Sequence, residues 1–198
     1  MQLIFATANK NKILEIAPLI HRGIKLISLN EIGCMEEIPE TSDTIEGNAS
    51  QKARYVYEKY GRNCFADDTG LEIEALGGRP GVRSARYAGE ARSAEENMNK
   101  VLQEMKNISN RTARFKTVIS LIIDGREKQF EGLVKGTILT EKRGEKGFGY
   151  DPIFMPDEYD ISFAEMTLEE KNKISHRAIA VKKLAEYLNR LEQKHSSK

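Results

Sequence analysis

Phe65-Ala66-Asp67-Asp68-Thr69-Gly70-Leu71 is an apolar run broken by two adjacent carboxylates, a hydroxyl and a glycine. Successive residues of a strand face opposite ways, so the two carboxylates converge only where the strand has ended. Gly70 permits a turn there, because glycine reaches positive φ without steric cost. The stretch therefore predicts a strand over residues 63–66 that delivers Asp67 and Asp68 into a loop. Two uses of the pair are open. Gathered carboxylates suit a divalent cation such as Mg²⁺ and the activation of a water. They equally suit a polar turn in which one of them caps a neighbouring N–H.

Upstream, Leu3-Ile4-Phe5-Ala6 predicts a buried strand. It leads through Thr7-Ala8-Asn9-Lys10-Asn11-Lys12 into Ile13, Ile16, Ala17 and Ile20 at helical spacing. A strand, a polar loop and a helix start bring N–H groups to the positive end of a helix dipole, a setting that suits an anion. It is not a P-loop, which needs more glycines and a Gly-Lys-Ser/Thr ending. Asn9 or Asn11 also fits a helix N-cap, which leaves Lys12 in solvent. Residues 24–29 alternate as a second strand. Residues 30–44 form an acidic loop with Glu36, Glu37, Glu40 and Asp43, interrupted by Pro39. Loops of that length inside a domain are often functional. A helix begins at Glu46, with Ala49, Ala53, Val56, Tyr57 and Tyr60 on one face and Lys52 across the stripe from Val56. Gly61 stops it.

Downstream, Leu71, Ile73 and Ala75 alternate with Glu72, Glu74 and Leu76, ahead of a turning loop at Gly77-Gly78-Arg79-Pro80-Gly81. A helix over residues 93–105 aligns Asn97, Val101 and Met105. Strands over residues 118–123 and 130–139 are joined by Asp124-Gly125, a hairpin signal. A second glycine cluster, residues 144–149, opens into Tyr150-Asp151-Pro152-Ile153-Phe154. A last helix carries Val181, Leu184, Ala185, Leu188 and Leu191, and residues 195–198 read as an unstructured tail. With 198 residues, no repeat and no linker, the expectation is one domain, residues 1–198, of mixed α/β type.

Lys and Arg number 31 against 30 Asp and Glu, a net charge of +1. That gives no electrostatic footprint for nucleic acid. Two cysteines, Cys34 and Cys64, make no disulfide framework and read as reduced thiols of a cytoplasmic protein. No stretch approaches the ~20 apolar residues that span a membrane. Met1-Gln2-Leu3-Ile4-Phe5 lacks the basic region of a signal peptide.

Several stretches together resemble the inosine triphosphate pyrophosphatase family, which removes inosine and xanthosine triphosphates from the nucleotide pool. They are Thr7 to Lys12, Glu40-Thr41, Glu46-Gly47-Asn48-Ala49 with Lys52-Ala53, Ala66-Asp67-Asp68-Thr69-Gly70-Leu71 and Gly77-Gly78-Arg79-Pro80-Gly81. Ser84-Ala85-Arg86-Tyr87, Gly147-Phe148-Gly149-Tyr150-Asp151-Pro152 and Glu170-Lys171-Asn172-Lys173-Ile174-Ser175-His176-Arg177 complete the set. They occur in the family's order over nearly the whole chain. One departure is Thr69, where the family usually has Ser; the hydroxyl is kept.

The resemblance implies an α/β fold with a long mixed sheet and two lobes flanking a nucleotide cleft, as a homodimer. It implies hydrolysis of non-standard purine nucleoside triphosphates (ITP, dITP, XTP) to monophosphate and pyrophosphate with one or more Mg²⁺ ions. Lys12, Lys52 and Lys171 match positions that neutralise the triphosphate, helped by Thr7, Ala8, Asn9, Lys10 and Asn11. Glu40 and Asp68 match the metal carboxylates. Asp68 is also matched to the activation of water, with Asp67 in support and Thr69 on the phosphate side. Phe148 is the stacking candidate, with Gly147 and Gly149 allowing backbone approach and Tyr150 next in line, and Asp151, His176 and Arg177 supply polar contacts to the base. A pyrophosphatase for other or ordinary nucleotides, or a nucleotide-binding module without chemistry, are the competing expectations.

Overall fold

Leu3, Ile4 and Phe5 of β1 (Gln2–Phe5) are all buried, as in a strand covered on both faces. The computed structural model describes residues 1–20 and 23–196. After β1 come α1 (Lys10–Ile16), β2 (Lys25–Ile27), α2 (Ile45–Tyr60), β3 (Cys64–Ile73), β4 (Pro80–Gly81) and α3 (Ala94–Glu104). β5 (Thr112–Ile123), β6 (Arg126–Ile138), β7 (Phe154–Pro156), α4 (Leu168–Ile174) and α5 (His176–Ser196) complete the chain. The strands form one mixed sheet in the order β2-β1-β3-β5-β6-β7, with β4 on β3. β1 runs parallel to β2 and β3; β3 and β4, and β6 and β7, are antiparallel. The fold is thus the α/β class with a mixed sheet that the sequence implies. Among the described residues no helix is long and apolar enough to cross a membrane.

The chain divides into two compact units, Met1–Asp68 with Thr117–Gly132 and Arg177–Lys198, and Thr69–Lys116 with Leu133–His176. In the first unit, strand alternation sorts the core. Leu3, Phe5, Phe65, Ile119 and Leu121 pack with Val181, Leu184 and Leu188 of α5. Ile4, Ala6, Cys64, Ala66 and Ile122 pack with Ala53 and Val56 of α2. α5 therefore covers one face of the strands and α2 the other, the two-sided burial that makes their sequences continuously apolar. Thr44 caps α2 by accepting from Gly47 N at 3.0 Å, and Gly61 ends it at φ 62°. Asp124 and Gly125 both take positive φ, 48° and 76°, as a two-residue hairpin turn requires. The second unit has its own core, in which Val101 of α3 and Met105, its C-cap, meet Leu71, Ile73, Phe115, Phe154 and Phe163.

Several expectations are corrected. β3 does not end before the carboxylates but continues through Asp67, Asp68, Thr69 and Gly70 to Ile73, and Gly70 is not among the glycines at positive φ. The alternation read past Ile73 stops there, because Glu74–Leu76 is a 3-10 turn. Lys52 lies on the buried face of α2 with Val56 rather than across from it, one helical turn away. α4, with a Thr167/Glu170 capping box, is an element the sequence reading did not contain. The tail expected from residue 195 meets a helix that continues to Ser196; Ser197 and Lys198 lie outside the described residues.

Candidate active site

Because β3 stays extended, its two carboxylates leave it on opposite faces. Asp67 shares the parity of Phe65, toward α5, and Asp68 that of Cys64 and Ala66, toward α2. Each meets a different set of partners. Asp67 is fully buried between two cations: Lys12 Nζ lies 3.0 Å from Oδ1 and Arg177 Nε 3.2 Å from Oδ2. Arg177, itself 2% exposed, also pairs through its guanidinium with Glu15 of α1. Burial disfavours the Asp67 anion, but Lys12 and Arg177 outweigh it and hold its pKa at about 2. Burial likewise opposes the charge on Arg177, and Glu15 and Asp67 more than restore it. Lys12 goes the other way, burial holding its ammonium below the ordinary lysine range despite Asp67.

On the α2 face, Lys52 is shared between Glu40 and Asp68, the second at 3.5 Å. Asn48, one turn earlier, donates to Asp68 Oδ2 at 3.4 Å and accepts from Ser42 N at 2.9 Å. Burial opposes the charge of Lys52, but Asp68 and Glu40 raise its pKa. Asp68 behaves unlike its neighbour. Burial pushes its carboxyl up, Glu40 and Asp67 add to that, and Lys52 and Lys12 only partly offset it. Two neighbouring residues thus hold one locked anion and one carboxylate that takes up a proton more readily.

The loop of residues 7–11 is exposed or half-buried. Thr7 Oγ1 accepts from Asn9 N at 3.2 Å, and Asn9 Oδ1 accepts from Asn11 N at 2.9 Å and Lys12 N at 3.3 Å. Asn9 is therefore the N-cap of α1, while Ala8 and Lys10 face solvent. Lys12 is drawn inward to Asp67 rather than left in solvent.

In the second unit the remaining candidates gather around Asp151. Its Oδ2 accepts from Phe148 N at 2.8 Å and from Lys171 Nζ at 2.6 Å, both partners of the pair being buried. The Lys171 ammonium stands 5.1 Å from the Phe148 ring centre and 5.4 Å from that of Phe163, within cation–π range. Gly147 and Gly149 turn the loop at φ 72° and 63°. Tyr150 is buried and donates to Ser84 O at 2.7 Å. Phe148 itself is half-buried. His176 stacks on Phe115, ring centres 4.5 Å apart.

The structure thus collects Lys12, Asp67 and Arg177 on one face of β3, and Glu40, Lys52 and Asp68 on the other. It gathers Phe148, Asp151 and Lys171 in the second unit, and Thr69 follows Asp68 directly along β3. Lys171 pairs with Asp151 and Arg177 with two carboxylates, and Asp67 leaves β3 on the face opposite Asp68. Glu15 and Asn48 were missed. Both are polar residues on the buried faces of α1 and α2, and a charged residue three positions after Lys12 on the same short helix was the available signal for Glu15.

Among the described residues no group of three or more His, Cys, Asp or Glu side chains is placed to hold a metal. Glu40 and Asp68 still fit Mg²⁺, because both are oxygen donors meeting at one cationic point. Mg²⁺ sites commonly take one or two carboxylates and fill the remaining positions with water and substrate phosphate.

Comparison with known proteins bears on this arrangement. A sequence model of the Ham1 family matches residues 3–187. A dITP/XTP pyrophosphatase of Flavobacterium psychrophilum is 56% identical over 187 residues, covering 94% of this chain and 98% of that protein. One of Bacillus subtilis is 50% identical over 191 residues, covering 94% and 96%. Among solved structures, a Ham1 protein from Coxiella burnetii superposes with a TM-score of 0.89 at 37% identity, over 96% of this chain and 99% of that one.

Proposed function

The chain belongs to the Ham1 family, and from that premise we propose that it hydrolyses non-standard purine nucleoside triphosphates, dITP and XTP foremost, to monophosphate and pyrophosphate. The names of its relatives support the substrate class. The observation that carries the chemistry is the meeting of Glu40 and Asp68 across Lys52 on one face of the sheet, with Asp67 neutralised on the other.

Asp68 orients a water toward the α-phosphorus and takes its proton; a carboxyl raised by burial is the better base. Lys52 holds Asp68 and Glu40 in place and supplies positive charge beside the phosphates. Thr69, next along β3, presents its hydroxyl to a phosphate oxygen, and the exposed loop of residues 7–11 offers further donors. Bound at Glu40 and Asp68, Mg²⁺ would supply electrostatic stabilisation of the phosphoryl oxygens and the leaving pyrophosphate. Asp67 and Arg177 keep β3 and α5 in register around the site rather than touching substrate. Phe148, held by Asp151 and Lys171, stacks on the purine, and the backbone of residues 148–151 reads the base edge, with His176 packed behind on Phe115. The reading extends to a cytoplasmic protein, supported by two buried free thiols, and to a homodimer, supported by the family resemblance alone.

The test is kcat/KM for dITP, XTP, dATP and dGTP with Mg²⁺. Selectivity built on hydrogen bonds to a base reaches ~10² or more, and dITP and XTP should lead by that margin. A flat panel would make this a general nucleotide pyrophosphatase, and binding without turnover a binding module.

A further inference from the structure

The acidic loop before α2 is laid along that helix as a strap, running from its C-terminal turns back to its start. Thr44 caps the N-terminus of α2, Ser42 N donates to Asn48, and Thr41 exchanges two 2.9 Å hydrogen bonds with Gln51. Glu40 then meets Lys52. At the far end stands Glu36, which none of the site chemistry uses. One of its carboxylate oxygens accepts from Tyr55 Oη at 3.1 Å, Tyr60 Oη at 3.3 Å, Cys34 Sγ at 3.5 Å and the Lys59 ammonium. These donors span the last two turns of α2 and the start of the strap. Four donors on one oxygen of a partly exposed acid is more than a solvated surface residue needs.

The geometry leaves little slack between the two anchors. Lys52 to Lys59 is about 10 Å of helix at ~1.5 Å per residue. The four residues from Glu36 to Glu40 reach at most about 14 Å when extended, and Pro39 stiffens them. Ile38, buried between the anchors, takes up part of that length. Releasing Glu36 would therefore let Glu40 move relative to Lys52 and Asp68.

We propose that Glu36 is a positioning residue for the reaction, fixing the strap to α2 so that Glu40 stays opposite Asp68. The proposal rests on the pyrophosphohydrolase reading. Glu36 touches no substrate and acts through Glu40 alone. Its carboxylate is ionised wherever the enzyme works, since the Lys59 hydrogen bond holds its pKa at about 2.

A double-mutant cycle on dITP hydrolysis tests it. Glu36→Ala should lower kcat/KM about ten-fold, since a displacement near 1 Å costs up to ~10²-fold in a catalytic site. In a Glu40→Gln background the same change should cost less than about two-fold, because the group it positions is gone. Cys34 gives a second signal that does not depend on turnover. It is buried against Glu36, and its alkylation by N-ethylmaleimide in the folded protein should quicken about ten-fold in Glu36→Ala. Cys64, whose buried thiol donates to Ala53 O at 3.2 Å and has its pKa pushed up to about 12 by burial, should stay inert in both. Equal losses in the two backgrounds, or unchanged kcat/KM beside a newly reactive Cys34, would overturn the role. A wild-type protein that fails to hydrolyse dITP would sink the functional reading instead, a result distinct from an active enzyme indifferent to Glu36→Ala.

Discussion

Burying an isolated carboxylate costs several kcal/mol, and Asp67 is tolerated because two cations arrive from elements far away in sequence, α1 and α5. The stability it contributes is therefore tied to its charge. Its folded pKa of about 2 lies below the ~3.9 of an unfolded Asp. The contribution is thus complete above the unfolded value and is lost as pH falls from ~4 toward ~2. Asp67→Asn leaves Lys12 and Arg177 under-compensated and should destabilise the protein at pH 7 by about 3 kcal/mol or more. Chemical denaturation at pH 7, 4 and 2.5 checks this: the gap between variant and wild type should narrow on acidification. A gap constant with pH would mean the carboxylate acts by shape alone. Asp68→Asn should do the reverse, with little change in stability and a loss of roughly 10² or more in kcat.

At the scale of elements, the loop of residues 144–151 is shaped by a contact glycine alone allows. A Cβ on Gly147 would stand 2.1 Å from Asp151 Oδ2 at a φ of +72°, displacing the carboxylate that holds Phe148 and Lys171. Gly147→Ala should cost about 1–3 kcal/mol of stability and raise KM for dITP several-fold with kcat less affected, as measured by melting and initial rates. An unchanged KM would detach this loop from base binding. The same scale shows what was legible. α2 announced itself through its apolar stripe and Gly61, and the β5–β6 hairpin through Asp124-Gly125, because those signals act within a few residues. β3 was misread because charge in a strand suggests its end. Of the partners that let it continue, Lys12 and Arg177 come from helices remote in sequence and Lys52 from the helix just before it. α4 escaped because its seven residues carry no apolar stripe and only its capping box marks it.

For the molecule as a whole, ordered motifs conveyed the family, and the structure adds which face of the sheet each candidate residue occupies. Strand alternation sends two adjacent aspartates to opposite faces, Asp67 to Lys12 and Arg177 and Asp68 to Lys52, which α2 and its strap share with Glu40. The central claim is that water, directed by Asp68, attacks the α-phosphorus. Hydrolysis of dITP in ¹⁸O-labelled water, with mass analysis of both products, tests it most directly. The account predicts one labelled oxygen in the nucleoside monophosphate and none in pyrophosphate. Label in the pyrophosphate, or direct release of orthophosphate, would contradict it.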